Sequence, residues 1–369
     1  IFNALKPNKV VLGANCYIAD TTWLSAATTT FAEGIGVAFG SNSIDHVNYN
    51  QKFAVITDEN GRVVTDPNAT VFTKTTVTKA YGVTTVKADE VSGYKFSAQG
   101  SDGLTYYSND LATIIEKAAA DSTITFLADY SFTSTAKIEI KKSLTFDLNG
   151  KTLDVAGTHM VSVFGITASN VTLTFQNGTI KYKNKDANNT FVFIDVYDAL
   201  SGVTVNLNNL TTHTGMILRS YAASGIVVNI NGGEHNIDYA PANLPASYVE
   251  SRANIIFTAT NAKFNLGGNS IVSSANYKQA ENKSSIFTFN GCEINQNSYK
   301  TTIIQYSNEF TKIYFNDCDI VGSITPAHNA SFESTAGDPK PGSIVLDSAT
   351  TLDADTILAD AVSISDEIK

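Results

Sequence analysis

The sequence predicts an all-β chain, most of it a solenoid of short parallel strands. Three observations carry this reading. A five-residue motif, apolar, polar, apolar and then mostly Asn, Asp or Gly, recurs eight times between Phe146 and Ser348. Successive copies lie 23 to 36 residues apart, so each copy reads as one coil of a repeat. Only one stretch of the chain carries a strong helical pattern.

Residues 1–105 read as a smaller β-sheet domain. Phe53 to Thr57 and Arg62 to Thr65 flank Asn60-Gly61, the strongest short hairpin signal in the chain. Val- and Thr-rich runs at Thr73 to Thr78, Val83 to Val86 and Gly93 to Phe96 extend the same domain. A helix is expected at about 110–120. Ser108, Asn109 and Asp110 offer capping oxygens, and Leu111, Ile114, Ile115 and Ala118 fall on one face. It opens the second domain, residues 106–369, as a cap on the first coil.

The eight motif copies place Leu148, Phe175, Leu207, Ile230, Leu266, Phe289, Phe315 and Leu346 at one anchor position. The residue two before each anchor is Ile, Leu, Val or Phe throughout, which is period 2 with one face buried. Asn149, Asn208, Asn231, Asn290 and Asn316 follow the anchor directly, with Gln176, Gly267 and Asp347 in the other copies. Asn, Asp and Gly tolerate a left-handed backbone, so this position is expected to turn the chain at one corner. Stacking one bend on the last requires the same turn chemistry after the same strand, which a meander of hairpins does not. Cys292 and Cys318 fall at one repeat position in adjacent copies and are expected as stacked, buried, free thiols.

The stretch Tyr106 to Ala120, then Ser122 to Asp129, then Ser143 to Leu153 resembles the entry unit of pectin-lyase-like right-handed β-helices of microbial cell surfaces. The resemblance is specific over roughly residues 104–155 and a matter of pattern to about 350. It implies a right-handed parallel β-helix, a fold shared by polysaccharide lyases, galacturonases, phage tailspikes and surface proteins without enzymatic activity, and so it does not select a function.

Lyase-like sites of that family are implied to hold an acidic Ca2+ cluster beside a basic residue. Galacturonase-like sites carry Asn-Thr-Asp, Asp-Asp, Gly-His-Gly and Arg-Ile-Lys, and none of those strings occurs here. The outward column read two positions beyond the anchor's Asn carries no carboxylate, and the next reads Thr152, Thr179, Thr211, Glu234, Ser270, Glu293, Asp319 and Thr350. Glu293 and Asp319 are therefore the candidate pair, as catalytic carboxylates or as Ca2+ ligands on adjacent coils. His213, His235, Asp238 and Arg219 form a second, loop-borne candidate group. Four Thr among eight is too irregular for an ice-binding rank, and Trp23, the sole Trp, gives little for sugar stacking.

The surface is uncharged and polar, with 43 Thr, 32 Ser and 34 Asn against only 16% charged residues. A net charge of -10 opposes nucleic-acid binding through phosphates. No apolar run reaches the roughly 18 residues of a membrane span. The chain opens at Ile1 without a basic-then-apolar leader and reads as a mature product. These features together suggest a secreted or cell-surface structural or adhesive protein. Its expected partners are carbohydrate or itself, head to tail through the coil that begins at Thr351. The alternatives are a polysaccharide lyase or glycoside hydrolase, and a phage tailspike or fibre component.

Overall fold

A strand that alternates apolar and polar residues buries one face only when a like strand lies beside it. In the computed structural model each motif finds that neighbour in its own next copy, in parallel register. One inward column runs through Leu144, Leu173, Val205, Val228, Phe257, Phe287 and Ile313, and its register continues to Ile344 and Val362. The next runs through Phe146, Phe175, Leu207, Ile230, Ala259, Phe289, Phe315 and Leu346, and its register continues to Ile364. Both columns are buried from Leu144 and Phe146 as far as Ile313 and Phe315. Rings stack directly where two Phe coincide: Phe146 on Phe175 at 4.7 Å and Phe289 on Phe315 at 4.9 Å between centroids.

The structure describes the strand segments 29–30, 47–48, 54–55, 72–80 and 83–90 and the residues from 94 to 364, apart from 102–104, 134–135, 156–161, 183–191, 223–224, 238–246, 252, 268–269, 275–284, 297–302, 307–311, 325–342, 353–356 and 359–361. The chain divides into two compact units, Ile1–Ala128 and Asp129–Lys369.

In the first unit, Phe72–Ala80 and Val83–Glu90 form an antiparallel pair, and Thr29–Thr30 lies parallel to Val47–Asn48. Phe96–Gln99 is central to a second antiparallel group, paired with Thr105–Ser108 and with Thr123–Phe126. The turn expected at Asn60-Gly61 lies outside the described residues. The helix runs Leu111–Lys117, with the Asp110 carboxylate accepting from the Thr113 amide at 2.7 Å. It stops where Ala118 bridges to Gly100. Leu111, Ile114 and Ile115 are its buried face, as their spacing predicts.

The second unit is a parallel β-helix. Each coil has a first strand carrying the motif, a sharp corner, a second strand, and in most coils a third. The third strands form their own seven-stranded parallel sheet, from Ile138–Ile140 to Ile304–Tyr306. Among the described residues, no helix is long and apolar enough to cross a membrane.

Two members of the expected anchor column are corrected by the register. Phe146, not Leu148, stacks on Phe175, because the first coil turns through Leu148 to Lys151 where the next turns through Asn177 and Gly178 alone. Ala259, not Leu266, stacks on Ile230, and Leu266 belongs to the second strand, beside Ile237. Ala259 hides the motif because it is small, and the Phe257 ring 5.4 Å from that of Phe289 helps fill the space. With these corrections the spacings between column members from Phe146 to Leu346 narrow to 23 to 32 residues.

The corner is also one residue later than expected. Asn208, Asn231, Asn290 and Asn316 lie in the strand. The left-handed residue comes next: Asn177, Asn209, Gly232, Asn261, Gly291 and Asp317 all have φ between 49° and 64°. Asn149 alone of the expected Asn residues adopts that conformation, at φ 48°. At Gly291 a Cβ would lie 2.6 Å from Asn261 Oδ1 of the preceding coil, so both the angle and the contact call for glycine. Phe289→Ala should cost about 3–5 kcal/mol in urea unfolding, since it empties a site packed against Phe315, Phe257 and Phe264. A loss below about 1 kcal/mol would place Phe289 outside the core column.

Candidate functional site

The outer face of the second strands carries the column in which carboxylates were sought. Its members in register are Thr152, Thr179, Thr211, Glu234, Lys263, Glu293, Asp319 and Thr351. Ser270 and Thr350, read into this column from the sequence, are replaced by Lys263 and Thr351. Glu293 and Asp319 are neighbours on adjacent coils, as the repeat predicts.

Their side chains turn to different partners. Glu293 accepts from Lys263 Nζ at 2.8 Å and from Asn295 Nδ2 at 2.8 Å. Asp319 accepts from the Thr351 hydroxyl. The Lys263 ammonium holds the Glu293 carboxyl below the usual carboxylate range, and the same bond raises the Lys263 ammonium above its ordinary value. A general acid for glycoside cleavage requires the opposite shift in its carboxyl. Ca2+ takes six to eight oxygen ligands. Among the described residues no group of three or more His, Cys, Asp or Glu is placed to hold a metal ion, and the Lys263 ammonium already occupies one face of Glu293.

The polar side chains around this column are bonded to their own kind along the axis. On the first strands Asn206 donates to Thr174, Asn229 to Asn206, Asn231 to Asn208 and Asn316 to Asn290, at 2.8 to 3.1 Å. On the second strands Asn265 donates to Asn236 and to Glu234, both at 2.9 Å. Asp147 accepts from Gln176 at 3.0 Å and from Asn177 at 3.3 Å. Asn residues on either side of the anchor, Asn206 with Asn229, Asn208 with Asn231 and Asn290 with Asn316, thus form hydrogen bonds from coil to coil.

The group of His213, His235, Asp238 and Arg219 is not assembled. Asp238 lies outside the described residues. His213 sits half-buried on the outer face, in register between Lys181 and Asn236. His235, one residue before Asn236, points the other way into the core. Arg219 is in the third sheet, where its guanidinium is bound to Asp195 at 3.3 Å, lies 5.0 Å over the Tyr221 ring and has Glu250 as its next register neighbour. All three charged residues are buried.

His235 interrupts an inner column that otherwise reads Leu153, Ile180, Thr212, Phe264, Ile294 and Ile320. Its Nδ1 is 3.2 Å from the Thr212 hydroxyl and 3.0 Å from that of Tyr248, which are 2.9 Å from each other. Nε2 is 3.3 Å from the Gly232 carbonyl. A carbonyl only accepts, so Nε2 carries the proton and Nδ1 accepts. The ring stacks on Phe264 at 5.2 Å. Burial pushes the imidazole down to about 4.

Sequence reasoning missed Lys263, Asp195, Glu250, Thr212 and Tyr248. Asp195 and Glu250 left a usable signal, each being an acid embedded in an apolar or small strand run, Val192–Val196 and Ser247–Ser251. Lys263 was hidden by the same misreading that hid Ala259.

An unfolded imidazole titrates near 6.5 and this one near 4, so acid protonates the unfolded chain first. The stability His235 contributes is complete above pH 6.5 and falls as the pH drops towards about 4. His235→Phe keeps the ring stack and leaves Thr212 and Tyr248 bonded to each other. It should flatten the fall in urea midpoint over that window, and an unchanged slope would assign the fall to other groups. Lys263→Met should return the Glu293 carboxyl towards its ordinary value, read by NMR titration of its side-chain carbon. Comparison with family models, with curated proteins and with solved structures gives no match for this chain.

Proposed function

We propose that this chain is an extracellular structural or adhesive element, a β-helical rod of a cell surface that works through its faces and ends without catalysis. The observation that carries this reading is the use of the outward polar groups. Asn side chains are spent on bonds from coil to coil, Glu293 is paired with Lys263, and Asp319 is bonded to Thr351. A face organised in this way stiffens the solenoid along its length. Its partners on this reading are carbohydrate, met by an uncharged hydroxyl- and amide-rich face, or further copies of itself. A terminal coil of parallel strands leaves unpaired backbone groups, and head-to-tail joining into a fibre would satisfy them.

The register pairing of Glu293 and Asp319 favours one second reading, a polysaccharide lyase or hydrolase acting on the same face. Incubation with acidic and neutral polysaccharides, with and without Ca2+, separates the two. The structural reading expects no new reducing ends and no unsaturated products, and retention on immobilised glycan or rods and fibres by electron microscopy. Product release that is lost in Glu293→Gln or Asp319→Asn would establish the enzyme instead.

A further inference from the structure

Cys292 and Cys318 stand at the same corner of adjacent coils. Asn290 pairs with Asn316 and Glu293 with Asp319, and two residues separate the members on each coil, so the cysteines are in register. Gly291 and Asp317 before them share the left-handed conformation, at φ 59° and 53°, which sets both side chains in the same phase. The Asp319 amide donates to the Cys292 carbonyl at 2.9 Å and ties the two corners together. Both thiols are free and buried, at 2% and 0% exposure. Partners in register on neighbouring strands have Cα atoms about 4.8 Å apart. That lies inside the window of roughly 4.4–6.8 Å that a disulfide spans.

We infer that Cys292 and Cys318 form a redox-active dithiol that a peroxide closes into a disulfide stapling two adjacent coils.

The neighbouring groups select this chemistry over a metal site. The Cys292 sulfur is 3.5 Å from the Asn290 carbonyl oxygen, and the Cys318 sulfur is 3.4 Å from that of Phe289 and 3.3 Å from that of Asn316. Carbonyl oxygens repel the anion that two thiolates and a soft cation would form, whereas a disulfide is uncharged and suits the same surroundings. The column offers no third ligand, since Ala262 and Thr350 flank the pair. Each sulfur is the main influence on the other: Cys318 beside it lowers the Cys292 thiol below its ordinary value, and Cys292 raises the Cys318 thiol.

The thiolate of one of the two cysteines attacks one oxygen of hydrogen peroxide. An S–O bond forms, the O–O bond breaks, and the departing hydroxide takes a proton to leave as water. The other cysteine then loses its proton and attacks that sulfur. The S–S bond forms, the S–O bond breaks, and a second water leaves. Two thiols are oxidised and one peroxide is reduced. Burial favours an oxidant of this size over a bulky disulfide such as oxidised glutathione.

The test treats the full-length protein, and a Cys16→Ser variant, with increasing hydrogen peroxide, followed by digestion without reduction and mass mapping. The expected product joins the peptides holding Cys292 and Cys318 and is lighter by two hydrogens. It should appear in both proteins, revert with dithiothreitol, and raise the thermal midpoint by roughly 5 °C. In Cys292→Ser it should be absent. Either cysteine ending as sulfinic or sulfonic acid without the cross-link, or both remaining thiols after Cys16 is fully oxidised, would overturn the inference. The wild-type map decides even where a serine variant folds poorly.

Discussion

Parallel strands stacked in register at about 4.8 Å place every side chain directly against its counterpart on the coils before and after it. Each column must therefore be filled by groups that tolerate their own kind. Apolar residues do so readily, and the columns through Phe146 and Leu144 hold Phe, Leu, Ile and Val with the single small member Ala259. Asn does so because one amide both donates and accepts, as Asn229 and Asn206 do. Charged residues do not. Where they enter, opposite signs stack, as in Glu234, Lys263, Glu293 on the outer face and Asp195, Arg219, Glu250 in the third sheet, and the one like-charged pair of the outer column, Glu293 and Asp319, turns to other partners, Lys263 and Thr351. The composition of the chain, poor in charge and rich in Thr, Ser and Asn, follows from this single restriction.

The corners keep the columns aligned. From the coil of Phe175 to that of Phe315, two residues make the bend, and the first of them is left-handed each time. A bend of fixed length delivers the second strand in the same phase on every coil, which is why Thr179, Thr211, Glu234, Lys263, Glu293 and Asp319 form one line. A second corner, before the first strand, repeats the device with Asn170 at φ 59°, Gly202 at 65° and Gly225 at 84°.

The repeat was legible because inward residues must be large and apolar at every second position. It failed at Ala259, where a neighbouring Phe supplies the volume, and at Leu148, where the first coil turns through a longer corner. Asn was misassigned because it suits two jobs, the left-handed turn and the interstrand ladder, and adjacent positions here use both. His235 sits between Glu234 and Asn236 and so reads as a surface residue, yet strand alternation turns it inward onto Phe264. The Glu293–Asp319 pairing followed from the repeat alone. Their actual partners did not, because Lys263 enters the column only once the register of its coil is known.

The hydrogen-bonded corner also governs how the chain ages. Asn-Gly dipeptides are the sites most prone to spontaneous deamidation, which begins when the glycine amide nitrogen attacks the preceding Asn side-chain carbonyl. Four such dipeptides lie at these corners, Asn149-Gly150, Asn177-Gly178, Asn231-Gly232 and Asn290-Gly291. At Gly150, Gly232 and Gly291 the glycine amide is donated across to the next coil, to the Asn177, Thr260 and Asn316 carbonyls at 2.6 to 2.8 Å. The attacking nitrogen is thereby held away from its target. At these three dipeptides the arrangement that turns the strand thus also shields a labile side-chain amide from hydrolytic wear.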